Sequence, residues 1–226
     1  MTASPLPRIA VLASGRGSNL QAILDAIANG GLDAEVVGVF SDKPDCEALL
    51  RVDEAKRWSR DAGSYASRAD FDADLADAVA AARPDWIVCA GYMRILGDGF
   101  VARFAGRTLN IHPSLLPRHR GLRTHARAIK AGDAEHGASV HFVVPELDAG
   151  AVVAQASVPV RAGDDADSLA ERVLQREHPL LLAVLRLAVA GRLDEREGRA
   201  WLDGHPLFKP LFLSSADDSL EPTRPA

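Results

Sequence analysis

The chain has 226 residues, 47% hydrophobic and 25% charged, with a formal net charge of −5. That length suits one large domain or two small ones with ample core, and the acidic balance argues against a general nucleic-acid binder. The longest apolar stretch, residues 179–190, is interrupted by Arg186 and is too short to span a bilayer, and residues 1–7 lack the basic start and apolar middle of a secretory signal. A cytoplasmic protein with no membrane partner is therefore expected. Its two cysteines, Cys46 and Cys89, fit neither a zinc spacing nor Cys-x-x-Cys.

Residues 8–14 (RIAVLAS) read as a buried strand. Small polar residues follow at 15–19. Leu20, Ile23, Leu24 and Ile27 then recur at helical spacing, stopped by Asn29-Gly30-Gly31. Residues 35–41 (EVVGVFS) form a second strand, so the opening predicts a parallel βαβ unit. Helical segments are expected at about 45–61 and 69–82, a strand at 85–90 (DWIVCA), a short helix at 98–104 and a strand at 108–111. Residues 138–144 and 151–160 are expected to pair antiparallel at the sheet edge. A long helix is expected over about 168–190. Ser168 and Glu171 form its capping signal, Gly191 stops it, and Pro179 should kink or split it. From residue 214 the chain is polar and is expected to be a disordered tail.

Four regions carry candidate chemistry. The Ser14–Asn19 segment (SGRGSN) sits between a strand and a helix start, where free N–H groups and the helix dipole favour an anion such as phosphate; the alternative is a tight glycine turn. It matches neither Gly-x-Gly-x-x-Gly nor a P-loop, which disfavours NAD and ATP. In Asn110-Ile111-His112-Pro113, strand alternation points Asn110 and His112 to the same side, suiting a reaction that builds charge on oxygen and moves protons; the alternative is a loop histidine beside a turn asparagine. Residues 118–127 (RHRGLRTHAR) hold four arginines and two histidines, fit either to neutralise an anionic ligand or to form a solvated charged loop. Asp148 precedes Gly150 in a turn. Near His112 an ionised aspartate would raise the histidine pKa; otherwise it is a turn aspartate. His136, His141 and Glu146 lack a recognised zinc spacing, so no metal is expected. With no Gly-x-Ser-x-Gly elbow or cysteine nucleophile signature, direct transfer between two bound substrates is expected.

These residues together resemble the phosphoribosylglycinamide formyltransferases, a folate-dependent family of purine synthesis. The likeness runs through Ser14-Gly15-x-Gly17-Ser18-Asn19-Leu20, Ala90-Gly91-Tyr92-Met93-Arg94-Ile95-Leu96 and Asn110 to Pro117. It continues through His136-Gly137-x-Ser139-Val140-His141, Leu147-Asp148-x-Gly150, Glu177-His178 and Trp201-Leu202-Asp203-Gly204. It implies an α/β fold with a Rossmann-like, mostly parallel sheet flanked by helices and antiparallel strands at the C-terminal edge. A single domain over 1–213 is implied, with a phosphate-binding half at about 8–105 and a catalytic and folate half at about 106–213.

The resemblance further implies formyl transfer from 10-formyltetrahydrofolate to the amino group of glycinamide ribonucleotide, as a monomer or homodimer. Gly17, Ser18, Asn19 and Glu177 would hold the ribonucleotide phosphate. Arg68, Met93, Arg94, Ile95, Leu96, Asn110, Val144, Pro145, Glu146, Leu147 and Asp148 would line the folate site. Asn110, His112 and Asp148 would be catalytic, with His112 held cationic by Asp148. The chain departs from the family pattern at Arg120-Gly121-Leu122, where Pro-Gly-Leu is frequent, at Asp148-Ala149-Gly150, where Asp-Gly-Gly is common, and at Pro145 in the folate loop. Competing expectations are a sugar-nucleotide formyltransferase, a formyltetrahydrofolate hydrolase and a non-catalytic nucleotide-binding module. A methionyl-tRNA sibling is disfavoured by the acidic charge and by the expectation that no room remains for its extra C-terminal domain.

Overall fold

The computed structural model describes residues 5–222; residues 1–4 and 223–226, including the end of the expected disordered tail, lie outside the described residues. The chain divides into two compact units at Leu109/Asn110, a few residues beyond the expected division.

The first unit opens with β1 (Arg8–Leu12), α1 (Ser18–Ala28) and β2 (Glu35–Ser41). β1 and β2 pair in parallel, Ile9 opposite Val36 and Val11 opposite Val39, as the opening predicts. After these come β3 (Arg57–Ser59), α2 (Arg68–Ala81), β4 (Trp86–Cys89) and α3 (Asp98–Arg103). The four strands lie in the order β4-β1-β2-β3, all parallel. Ile9, Val11 and Leu12 are fully buried. Each such side chain contributes about 1.5–3 kcal/mol, so β1 is the centre on which the others assemble.

Residues 45–61 are not the expected helix. They form two 3-10 turns, Glu47–Arg51 and Glu54–Lys56, separated by Val52 in extended conformation, and then β3. Aromatic packing overrides local propensity here. Trp58 lies against Phe40 and Phe71, with ring centroids 6.1 Å apart in each case, and draws the chain onto the sheet edge.

β5 (Thr108–His112) carries the chain into the second unit. There follow α4 (Thr124–Ala131), β6 (Glu135–Phe142), β7 (Val152–Pro159) and α5 (Ala166–Val189). β8 (Leu193–Arg196), β9 (Arg199–Leu202) and β10 (His205–Pro206) make a small antiparallel sheet of their own. β11 (Leu211–Leu213) pairs in parallel with β7, and β12 (Leu220–Pro222) antiparallel with β11.

β6 and β7 pair antiparallel as expected, with one irregularity. Val140 faces Ala154 but His141 faces Val152, so Val153 is an extra residue in β7. The Phe142 N–H donates to the Ala151 carbonyl at 3.0 Å, closing the neck of the 143–150 loop. A Cβ on Gly150 would lie 1.9 Å from the Phe142 carbonyl oxygen, so only glycine fits that neck.

Three expectations are corrected in this unit. α5 is not split at Pro179 but continues as one helix to Val189. Proline lacks the N–H that would donate to the Gln175 carbonyl; the exposed position of Gln175 lets water donate there instead, and buried Leu180, Leu181, Val184 and Leu185 keep the helix packed. Its cap is one turn earlier than expected, with Asp165 and Ser168 as the reciprocal pair. The segment from 214 is not disordered as far as residue 222. It turns back as β12, and Arg176 on α5 holds it by donating to Asp218 at 2.7 Å and to the Ser214 carbonyl at 2.7 Å.

Candidate active site

In the first unit, Gly17 is the N-cap of α1 at φ 73°, and α1 has no acidic residue in its first turn. The first N–H groups of a helix lack intrahelical acceptors, so this end presents donors and positive potential with no internal anion competing for them. The loop's carbonyls are tied back. The Gly15 carbonyl accepts from Ala48 N–H at 3.1 Å and the Arg16 carbonyl from Arg51 Nε at 2.8 Å. Arg51 Nη1 also donates to Gln21 at 2.7 Å. Arg51 thus adds a cation beside the loop. The sequence reading missed it because its segment was taken for an ordinary helix. Ser18 is half-buried and Asn19 buried.

Ser14 joins the loop to the next motif. Its hydroxyl donates to Asp42 at 2.5 Å and accepts from Met93 N–H at 2.9 Å. Met93 is 63% exposed and Ile95 48%, apolar side chains facing outward, whereas Leu96 is buried and offers only backbone. Arg68 donates to the Ile95 carbonyl at 2.5 Å and pairs with Asp72 at 3.4 Å. Arg94 lies over the Phe71 ring at 5.0 Å. A cavity of about 610 Å³ between α2 and α3 is lined by Arg68, Asp72, Phe100 and Arg103 but by none of the expected catalytic residues.

In the second unit, Asn110, His112 and Asp148 meet. His112 Nδ1 is 3.4 Å from Asp148 Oδ2, and both side chains are 8% exposed. Asn110 Nδ2 is 3.5 Å from Asp148 Oδ1 and 3.0 Å from His141 Nε2. His112 Nε2 donates to the His119 carbonyl at 3.1 Å, and the Gly121 N–H donates to Asp148 Oδ2 at 2.8 Å. A carbonyl only accepts, so His112 carries its proton on Nε2 when neutral, and Nδ1 faces the carboxylate. His141 Nδ1 donates to the Phe142 carbonyl at 2.8 Å, which leaves Nε2 to accept from Asn110. His141 and the 119–121 backbone are members of this cluster that sequence reasoning did not assign. The even spacing of Ser139 and His141 on β6 was the available signal for His141.

Burial dominates the electrostatics of His112 and pushes its pKa below the ordinary 6.5. The Asp148 charge and the His119 carbonyl oppose that shift, while His141 and Arg127 add to it. The expectation of a raised pKa is thus corrected: a nearby carboxylate does not outweigh desolvation here. For Asp148, burial also disfavours charge, but the close approach of the His141 and His112 rings and the hydrogen bond from the Gly121 N–H hold its pKa below the usual value. Asp148 is the fixed anion of the cluster.

The Asn110–Pro117 turn is held from below by Ser139. Its hydroxyl donates to the Ser114 carbonyl at 2.7 Å and accepts from Leu116 N–H at 3.0 Å. The 118–127 stretch is only partly a loop, since Thr124 onward forms α4. Pro145, Glu146 and Leu147 are exposed and Val144 is half-buried. Glu177 is half-buried on α5. Among the described residues no three His, Cys, Asp or Glu side chains are grouped as a metal would need, and no helix is long and apolar enough to cross a membrane.

Residues 7–185 match the family described as Formyl transferase. The chain belongs to the formyl transferase family. A phosphoribosylglycinamide formyltransferase from Escherichia coli is 47% identical over 88% of this chain and 95% of its own length. Among solved structures, a phosphoribosylglycinamide formyltransferase from Coxiella burnetii superposes with a TM-score of 0.84 at 42% identity, covering 90% of this chain and 96% of that one. Glycinamide ribonucleotide transformylase 1 from Symbiobacterium toebii gives 0.83 at 40%, covering 87% and 94%. The fold is therefore that of the formyl transferases, a mostly parallel, helix-flanked sheet with antiparallel strands at the C-terminal edge.

Proposed function

We propose that this chain is a phosphoribosylglycinamide formyltransferase of purine synthesis in the cytoplasm, moving the formyl group of 10-formyltetrahydrofolate to the amino group of glycinamide ribonucleotide. The observation that carries this reading is the meeting of Asn110 and His112, neighbours on β5, with the buried carboxylate of Asp148 from far along the sequence. The amine attacks the formyl carbon and the carbonyl oxygen becomes an oxyanion. The nitrogen then gives up a proton, and the folate nitrogen leaves with one.

His112 is suited to move that proton because it is neutral near pH 7 with a free lone pair on Nδ1. Once protonated at Nδ1 it faces Asp148 and becomes the cation that stabilises the oxyanion. Asn110 already spends its amide hydrogens on His141 and Asp148, so donating to the oxyanion requires a shift of one of them. Gly17, Ser18 and Asn19 take the ribonucleotide phosphate on the end of α1. Glu177, an anion, suits the ribose hydroxyls better than the phosphate. Exposed Met93 and Ile95 in the first unit, near Arg68, Arg94 and the Leu96 backbone, and exposed Leu147 in the second, beside the Val144–Glu146 stretch, are each suited to contact the folate.

A steady-state assay with both substrates tests the reading. His112→Ala should lower kcat about 100- to 10,000-fold with the fold retained. A wild-type rate in that variant removes the mechanism.

A further inference from the structure

The segment Arg118-His119-Arg120-Gly121 touches both partners of the histidine–aspartate pair. Its His119 carbonyl accepts from His112 Nε2 at 3.1 Å, and its Gly121 N–H donates to Asp148 Oδ2 at 2.8 Å. His119 at φ 54° and Gly121 at φ 79° are both left-handed. That conformation costs a non-glycine residue about 1–2 kcal/mol, so the strap needs to be held from outside.

The main tether is Asp133, at the end of α4. Its Oδ2 accepts from His119 Nε2 at 2.7 Å, and its Oδ1 takes the Arg118 guanidinium. The Asp133 side chain is 4% exposed and that of His119 12%, so this contact is shielded from water; Arg118 is 56% exposed and lies at the rim. Two weaker fastenings complete the strap. The Arg118 carbonyl accepts from Ser114 Oγ at 2.7 Å, and the Arg120 carbonyl accepts from Arg127 Nη1.

We propose that Asp133 is a positioning residue for formyl transfer, acting through His119 to set the strap that orients the imidazole of His112 and the carboxylate of Asp148. This rests on the reading that His112 and Asp148 carry the reaction. Asp133 touches neither of them, so its effect passes through the backbone of 119–121. The strap fixes the His112 tautomer by accepting its Nε2 proton, and it neutralises part of the Asp148 charge by donating one hydrogen bond. Misplacing either group by a fraction of an ångström weakens the pair, while the strap bonds one folate residue, Asp148, and among the described residues none of those assigned to phosphate.

The test uses the full chain with Asp133→Ala, and with His119→Asn as a second variant should the first fail to fold. Asparagine tolerates the left-handed backbone but is too short to keep the Asp133 contact. Each variant should lose roughly 10- to 100-fold in kcat, with the ribonucleotide KM within about threefold of wild type. The pH limb reporting His112 should also move to lower pH, because the carbonyl favouring the charged ring is displaced. The charged and titratable groups facing His112 are Asp148, His141 and His136 from β6 and its following loop, and His125 and Arg127 from α4. None of these is altered in the variants, so a purely structural loss would lower the active fraction without moving the limb. An unmoved limb with wild-type kcat, or with a kcat loss matched by the unfolded fraction, overturns the proposal. His112→Ala run alongside separates the layers. If it is inactive and the tether variants are normal, only this inference falls; if it is fully active, the catalytic reading beneath it falls.

Discussion

The α1 end and the Asp148 cluster handle charge in opposite ways. At Gly17–Asn19 the groups offered to an anion are backbone N–H donors on consecutive residues, so glycine conformation and tied-back carbonyls do the work. Around Asp148 the protein has buried its own anion and surrounded it with side chains from β5 and β6 and with one backbone N–H from the 118–121 strap. The first is a place built to suit an anion from solution. The second is a place where burial and a fixed carboxylate compete over one proton. The first should therefore fail in binding, and the second in turnover.

Asp148→Asn tests the second half of that contrast and has the largest expected effect. It keeps the side chain's shape and its left-handed backbone but removes the charge, and should cost about 1000-fold in kcat with the ribonucleotide KM nearly unchanged. Ser18→Asp is its counterpart. A like charge at the end of α1 should raise the ribonucleotide KM roughly 10- to 100-fold and leave kcat within about threefold. Gly17→Ala should act in the same direction, since its Cβ would sit 2.7 Å from that of Ala48 at a backbone φ of +73°. Kinetics in which Ser18→Asp moved only the folate KM would reverse the placement of the two substrates.

Smaller effects follow from pH. With its pKa below 6.5, His112 is a neutral base at pH 7 and is lost as pH falls through that lowered value, so the acid limb of kcat lies below 6.5. Asp148→Asn removes the charge that supports the imidazolium, and the residual limb should move to still lower pH. His136 is buried and its pKa is pushed down to about 4, by burial first and by neighbouring His125 and His119 next. Between there and the unfolded value near 6.5 the unfolded chain binds more protons. Stability is therefore unaffected by this group above 6.5 and declines as pH drops toward 4, by up to about 3 kcal/mol. Urea midpoints at pH 7 and pH 4.5 would measure the decline, and His136→Gln should flatten it.

The same contrast explains what the sequence made legible. The loop proposed to take the phosphate is contiguous, and its glycines and polar residues between a strand and a helix could be read directly. β1, α1 and β2 were legible for the same reason, since short apolar runs and helical spacing are local signals. Asn110 and His112 could be placed on one strand face, and both do reach Asp148. Asp148 itself was indistinguishable from a turn aspartate without the resemblance, because its partner lies 36 residues away in sequence. The direction of the His112 shift was misread because burial is a tertiary quantity that no spacing reveals. The failures in secondary structure have the same origin. Trp58 pulls β3 onto the sheet through Phe40 and Phe71, and Arg176 holds a polar tail that composition alone marks as disordered.

The neck at Phe142 and Ala151 separates two duties within a few residues. Below it, the extra residue Val153 and the Gly150 contact fix where β6 and β7 end. Above it, Pro145, Glu146 and Leu147 meet solvent and contribute nothing to the sheet. The tip can therefore be rewritten without unseating the aspartate. Deleting Val153 tests the reverse: it should regularise the β6–β7 ladder, and a drop in kcat with the fold retained would show that the bulge helps to place residue 148.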